Sequence, residues 1–343
     1  FGMNVMSDGL RKVADGSLEH SLKKITGNRW MAMLLGFVIT IAIQSSSAMT
    51  VMLVGLVNSG IMQFGQTIGV IMGSNIGTTL TPWILSLSGV NGTGWIQLLK
   101  PENFSPIIAF IGVVLIMMCK KPRKRDIGKI LVGFAVLMYG MTLMGSSVSG
   151  LENSKAFTSI LTAFENPLLG VLVGTVFTCI LQSSSAAVGI LQALASSGVI
   201  SYSSSVFVLF GQNIGTCVTA MLASIGTNRA GKRAAMIHLM FNVIGTLVFI
   251  PICLFLPYVE LIEGLTADPK LQISFAHIGF NIVATLLLLP FAKLLVRLAE
   301  KLVPGKDAEY EEMRLHYLDE RILGTPSIAV AQVLKEVERM AQI

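Results

Sequence analysis

The residues with the types and spacing to do chemistry in this chain carry no charge. Gln44-Ser45-Ser46-Ser47 interrupts the apolar run IAIQSSSAMT, and the same four residues return as Gln182-Ser183-Ser184-Ser185. Thirty-one residues beyond the first residue of each tetrad stand Asn75-Ile76-Gly77-Thr78 and Asn213-Ile214-Gly215-Thr216. Hydroxyls and carboxamides both donate and accept hydrogen bonds. Where such a segment opens a helix, its free backbone N–H groups, the helix dipole and the hydroxyls together hold an anion. The side-chain oxygens and nearby backbone carbonyls supply ligands for a hard cation, and two opposite ions bound side by side stabilise each other in a low dielectric.

From Met31 to Trp83 and from Leu168 to Thr227 there is no Asp, Glu, Lys, Arg or His. That excludes a carboxylate proton relay and a charged clamp within these runs. Neutral oxygens favour Na+ as a coupling ion and leave dipoles and hydroxyls to hold the anion. Three other readings compete. Ser and Asn often serve as hydrogen-bonding glue between transmembrane helices, but a duplicated tetrad with its Asn-Ile-Gly-Thr partner at fixed spacing exceeds what packing asks for. An intramembrane serine hydrolase needs one activated nucleophile, with His238 or His277 as base, and has no use for a second copy. A passive anion channel leaves the two half-sites unexplained.

The elements that position these residues must lie in a bilayer. Hydrophobic residues make up 53% of the 343, charged residues 13%, and mean hydropathy is +0.72, far from the balance of a soluble domain. Apolar stretches of spanning length recur without strand alternation, so the chain reads as an all-α polytopic membrane protein. The net charge of +6 comes from short basic clusters between apolar runs. These are topology signals, so no nucleic-acid partner is expected. Cys119, Cys179, Cys217 and Cys253 stand singly, without metal-ligand spacing.

Residues 31–79 laid over 169–217, an offset of 138, give 19 identities in 49 positions: an internal duplication. The second copy carries further apolar residues, 129–138, upstream of the point matching Phe1, so the first copy is expected to begin inside a helix. Basic residues in equivalent loops fall on opposite copies. Arg11, Lys12, Lys23, Lys24 and Arg29 precede the first tetrad, whereas Arg229, Lys232 and Arg233 follow the second motif. Since Lys and Arg concentrate on the cytoplasmic side, two inverted-topology repeats follow. Alternating sides along the chain closes only if one of the two apolar runs of a repeat dips in and turns back. The tetrad-bearing runs are the better candidates for a re-entrant helical hairpin, and the glycines flanking Asn75 and Asn213 would permit a broken helix in each repeat or close helix approach. The expected divisions are 1–85, the first repeat with its hairpin at 31–57; 86–138, connecting transmembrane segments; 139–227, the second repeat with its hairpin at 168–195; 228–303, C-terminal transmembrane helices; and 304–343, a cytosolic tail.

A smaller echo lies downstream, where His238-Leu239-Met240-Phe241-Asn242 and His277-Ile278-Gly279-Phe280-Asn281 are related by a shift of 39. In each, His and Asn share one helix face, which favours hydrogen bonding between helices over ligand binding. The tail, 318–343, has the apolar periodicity of an amphipathic helix.

The paired Gln-Ser-Ser-Ser motifs, each followed by Gly-x-Asn-Ile-Gly-Thr, with the later His-x-x-Phe-Asn segments, resemble the type II sodium/phosphate cotransporters, bacterial members included. The resemblance covers about residues 1–300. It implies an inverted repeat with two re-entrant hairpins, and a symporter that imports inorganic phosphate with Na+ by alternating access. The expected setting is a cell (inner) membrane with the C-terminus cytoplasmic, and neither an enzyme activity nor a cofactor other than Na+ as coupling ion is implied. By motif it assigns phosphate to Gln44, Ser45, Ser46, Ser47, Gln182, Ser183, Ser184, Ser185, Asn75 and Asn213. Sodium falls to Gln44, Ser47, Asn75, Thr78, Thr79, Gln182, Ser185, Asn213 and Thr216. Gln212 and Cys217 stand where the first copy has Ser74 and Thr79, so the half-sites should not be equivalent. The tail resembles the start of a PhoU-like helical domain. Its partners are then phosphate, sodium and the lipid bilayer, and a homo-oligomer is compatible with the apolar surface.

Overall fold

The computed structural model describes residues 28–58, 62–87, 101–148 and 166–305, with residues 5, 6, 12 and 337. The chain divides into two compact units, Phe1–Gly305 and Lys306–Ile343. Apart from Val337, the amphipathic tail lies outside the described residues, as do most of the basic positions before the first tetrad.

All regular structure among the described residues is helical. The first tetrad separates α1 (Arg29–Ile43) from α2 (Ser46–Asn58). A 3-10 turn, Phe64–Gln66, then leads into α3 (Thr67–Thr78) and α4 (Leu80–Ser86). α5 (Pro101–Met118) and α6 (Pro122–Val148) pack against each other. The second tetrad separates α7 (Pro167–Leu181) from α8 (Ser184–Ser196), followed by α9 (Tyr202–Ala223). The chain ends its first unit with α10 (Arg229–Phe255), α11 (Tyr258–Glu263), α12 (Pro269–Leu288) and α13 (Ala292–Leu302).

Shifted by 138, the bounds of α1 and α2 become those of α7 and α8 residue for residue. The shared chemistry explains this. Asn28 and Asn166 cap α1 and α7, each side-chain oxygen accepting from a first-turn N–H. Both helices stop at a glutamine in the left-handed region, Gln44 at φ 58° and Gln182 at φ 52°, whose N–H bonds back to Thr40 or Thr178. Among the described residues these are the two non-glycine positions with positive φ. Each such conformation costs roughly 1–3 kcal/mol and persists where the surroundings over-determine it.

α1 packs on α3, and α7 on α9, at backbone contact. A Cβ added to Gly36 would collide with the Val70 carbonyl, and one on Gly73 with that of Met33. In the second copy Gly174 meets Val208 and Gly211 meets Val171 in the same way. Small residues let helices approach this closely where lipid gives no hydrophobic drive to association.

The broken helix appears in the first copy alone. Pro82 lacks the N–H that would bond Thr78, so the helix is interrupted at Thr79, whereas Ala220 occupies the matching place in an unbroken α9. Two of the apolar clusters among the described residues are large. One gathers Met49, Leu53, Ile68 and Met72 against Ile237 and Phe241 of α10. The other stacks Phe210 on Phe280, with Phe249 beside both. α10 and α12 thus serve both copies. Gln192, fully buried in α8, donates to the Pro82 carbonyl at 3.1 Å and to Ser274 Oγ at 3.0 Å, tying α8 to α4 and α12.

The segment Phe64–Ser86 and helices α9, α10 and α12 are long and apolar enough to cross a membrane. α1 and α2, of 15 and 13 residues, and their counterparts α7 and α8 are shorter apolar helices.

Candidate functional site

Breaking the helix at each tetrad turns a new helix N-terminus into the protein interior. Ser46 and Ser184 are the first residues of α2 and α8, and both line one shared cavity. The first half contributes Ser46, Asn75 and Thr78; the second contributes Ser184, Asn213 and Thr216. Asn242 of α10 and Asn281 of α12 complete the wall. The cavity measures about 10 Å³, room for roughly one water molecule. Every lining side chain is uncharged. The field inside is set by amide dipoles, hydroxyls and two helix N-termini.

The asparagines are held from behind by the histidines of the downstream echo. His238 Nε2 lies 3.1 Å from Asn75 Oδ1, and His277 Nε2 lies 3.0 Å from Asn213 Oδ1. All four side chains are buried. One turn later on each helix, Asn242 Nδ2 donates to the His238 carbonyl at 3.1 Å and Asn281 Nδ2 to the His277 carbonyl at 2.9 Å. Neither histidine pairs with a tetrad serine in any hydrogen bond of the described residues, so the base–nucleophile contact of a serine hydrolase is not formed.

The two halves differ in detail. Gln44 is 8% exposed, donates to the Ile41 carbonyl at 2.7 Å and accepts from Thr81 Oγ1 at 3.0 Å, whereas Gln182 is exposed. Thr40 donates to Ser74 at 2.8 Å; where Gln212 replaces that serine, its amide instead bonds the Ala187 carbonyl at 3.1 Å. Cys217, in place of Thr79, contacts the His238 carbonyl at 3.4 Å and accepts from Asn242 at 3.2 Å. The exchanges at Gln212 and Cys217 follow from the substituted residues; the difference between Gln44 and Gln182 does not.

Comparison with known proteins identifies the family. The Na+/Pi-cotransporter family model matches residues 1–146 and 136–256. The chain belongs to the Na+/Pi-cotransporter family. Each matched segment holds one tetrad with its Asn-Ile-Gly-Thr partner. Relatives include YqeW of Bacillus subtilis, of uncharacterised function, 30% identical over 89% of this chain and 95% of that protein. YjbB of Salmonella typhimurium, named for inorganic phosphate export, is 26% identical over 99% of this chain and 60% of its own length. The human sodium-dependent phosphate transport protein 2B is 29% identical over 49% of this chain and 24% of its own. The chain therefore spans about 60% of the length of YjbB. No solved structure matches it.

Of the residues the motifs single out, the cavity of this family member gathers Ser46, Asn75, Thr78, Ser184, Asn213 and Thr216. The remainder lie beside it. Gln44 and Gln182 form the left-handed breaks, and Ser45 and Ser183 accept from the N–H groups of Ala48 and Ala186 at the helix starts. Ser47 and Ser185 are buried within α2 and α8, and Thr79 donates to the Ile76 carbonyl at 2.7 Å. Asn242 and Asn281 reach the cavity without having been among the sequence-derived site residues. Their signal was present: the spacing of four from His238 and His277, repeated at a shift of 39, marked a duplicated polar pair inside apolar helices.

Proposed function

We propose that this chain is a Na+-coupled symporter that carries inorganic phosphate inward by alternating access, bound with Na+ between the two tetrads. One observation carries the reading: Ser46 and Ser184, each opening a helix after a left-handed break, face a single uncharged cavity completed by Asn75 and Asn213. Two helix N-termini suit a phosphate, and the surrounding neutral oxygens suit Na+. With no fixed countercharge in the cavity wall, the cation supplies the charge that offsets the anion. Membership of the Na+/Pi-cotransporter family, and relatives named for phosphate transport, support the substrate.

The two halves act as inverted repeats. Helices of 13 to 15 residues reach about 20 Å, short of a hydrocarbon layer of ~30 Å, so α1–α2 and α7–α8 serve as re-entrant pairs that enter from opposite faces. The exposed cluster Lys120, Lys121, Arg123, Lys124 and Arg125 lies on the cytoplasmic side of a cell membrane, as does the C-terminal tail. A cavity this small admits phosphate only after the tetrad-bearing helices separate, which is the moving part of the cycle.

The test is uptake of radiolabelled phosphate into proteoliposomes with and without an inward Na+ gradient. Uptake that rises with the gradient and saturates in both ions supports symport; equal uptake under both conditions removes sodium coupling, and non-saturating current identifies a pore. A second reading, net export, is favoured by the name of YjbB. It predicts release of internal phosphate against an inward Na+ gradient, which a symporter driven by that gradient opposes.

A further inference from the structure

Asn75 and Asn213 are 6% and 8% exposed, and each has its oxygen engaged by a histidine Nε2. Their Nδ2 atoms are buried with no partner. Asn242 and Asn281, 2% and 1% exposed, are engaged through the other end of the amide. Asn242 Nδ2 donates to the His238 carbonyl and to Cys217 Sγ, and Asn281 Nδ2 donates to the His277 carbonyl. Their Oδ1 atoms accept no hydrogen bond among the described residues. An amide whose oxygen is turned to a histidine leaves its N–H donors free, as an oxyanion takes; Asn242, with both N–H bonds used, and Asn281, with one, keep a free oxygen, as a cation takes.

We infer that the four asparagines divide the cavity between the ions: Asn75 and Asn213 donate through Nδ2 to phosphate, and Asn242 and Asn281 ligate Na+ through Oδ1. His238 and His277 are positioning residues that hold the first pair oxygen-backward. This rests on the symport reading, and it moves the sodium role that the motif resemblance gives Asn75 and Asn213 onto the downstream pair. The orientation is coupled to the ring tautomer. A proton on Nε2 holds Oδ1 against the ring, whereas a proton on Nδ1 alone turns the amide and exchanges donor for acceptor at the cavity.

The test separates the ions on the purified protein. Na+ binding is read without phosphate, as thermal stabilisation in NaCl against choline chloride, and phosphate binding is read with radiolabel at saturating Na+. Asn242→Ala and Asn281→Ala are expected to raise the Na+ midpoint about tenfold or more and to move the phosphate Kd less than about threefold. Asn75→Ala and His238→Leu are expected to do the reverse, with His238→Gln, which keeps an N–H donor, restoring phosphate affinity. Where an alanine or leucine does not fold, Asn242→Ser, Asn281→Ser and His238→Gln carry the same comparison. Variants at Asn242 that weaken both ions equally, or a His238→Leu that acts on Na+, overturn the division. Wild-type protein that binds neither ion overturns the symport reading instead.

Discussion

The serine hydroxyls at the two helix starts are the groups on which the proposed anion binding rests most directly. Ser46→Ala and Ser184→Ala each remove one donor from the shared cavity and leave the helix ends in place. A hydrogen bond to a charged group contributes about 1.5–3 kcal/mol, so each change is expected to raise the phosphate KM by roughly 10- to 100-fold. Uptake kinetics at saturating Na+ check this; an unchanged KM for both variants would remove the tetrads from the substrate site. At this scale much of the candidate cavity lining was readable in advance, because a duplicated polar tetrad inside an apolar run has few structural explanations. Asn242 and Asn281 were harder to read. An amide four residues from a histidine on one helix face has an adequate role in packing, and only the cavity shows that its oxygen is left over.

Among the elements, the close approach of α1 to α3 fixes where the first break can sit, and glycine makes that approach feasible. Gly73→Ala places a methyl against the Met33 carbonyl, so the helices must part; overpacking of this kind costs about 1–3 kcal/mol. Gly55→Ala in α2 meets nothing within 4 Å and restores helix propensity, so it is expected to be neutral or to stabilise by up to ~1 kcal/mol. Thermal melts in detergent should show Gly73→Ala lowered and Gly55→Ala unchanged or raised, and equal melting would show that the α1–α3 contact is not tight. The breaks at Gln44 and Gln182 were legible as positions, since polar residues collect there, but not as left-handed turns, because glutamine has no preference for positive φ. The expected symmetry of broken helices failed for a local reason: Pro82 interrupts one copy, and Ala220 lets the other run on.

Across the whole molecule, equal sequences occupy unequal environments. Gln44 is buried and bonded to Thr81, whereas Gln182 is exposed and the matching Thr219 hydroxyl is buried without a partner. Two copies of one motif in one conformation would match; a carrier with one gate closed and the other parted would not. If the repeats are inverted, the two tetrads open to opposite faces of the membrane. Ser45→Cys and Ser183→Cys test this, because both positions are half-buried and adjoin the breaks. The native thiols are first removed, with Cys217→Thr copying the residue at position 79 and serine at Cys119, Cys179 and Cys253. A membrane-impermeant thiol reagent is then expected to reach Ser183→Cys from outside intact cells and Ser45→Cys in inside-out vesicles. Na+ with phosphate should slow both reactions by closing the cavity around its ions. Labelling of both positions from one face alone, whichever ions are present, would defeat this reading, because mirrored tetrads beside a cavity that opens alternately are each reached from their own side in at least one state, whereas labelling from opposite faces supports two repeats that enter from opposite sides.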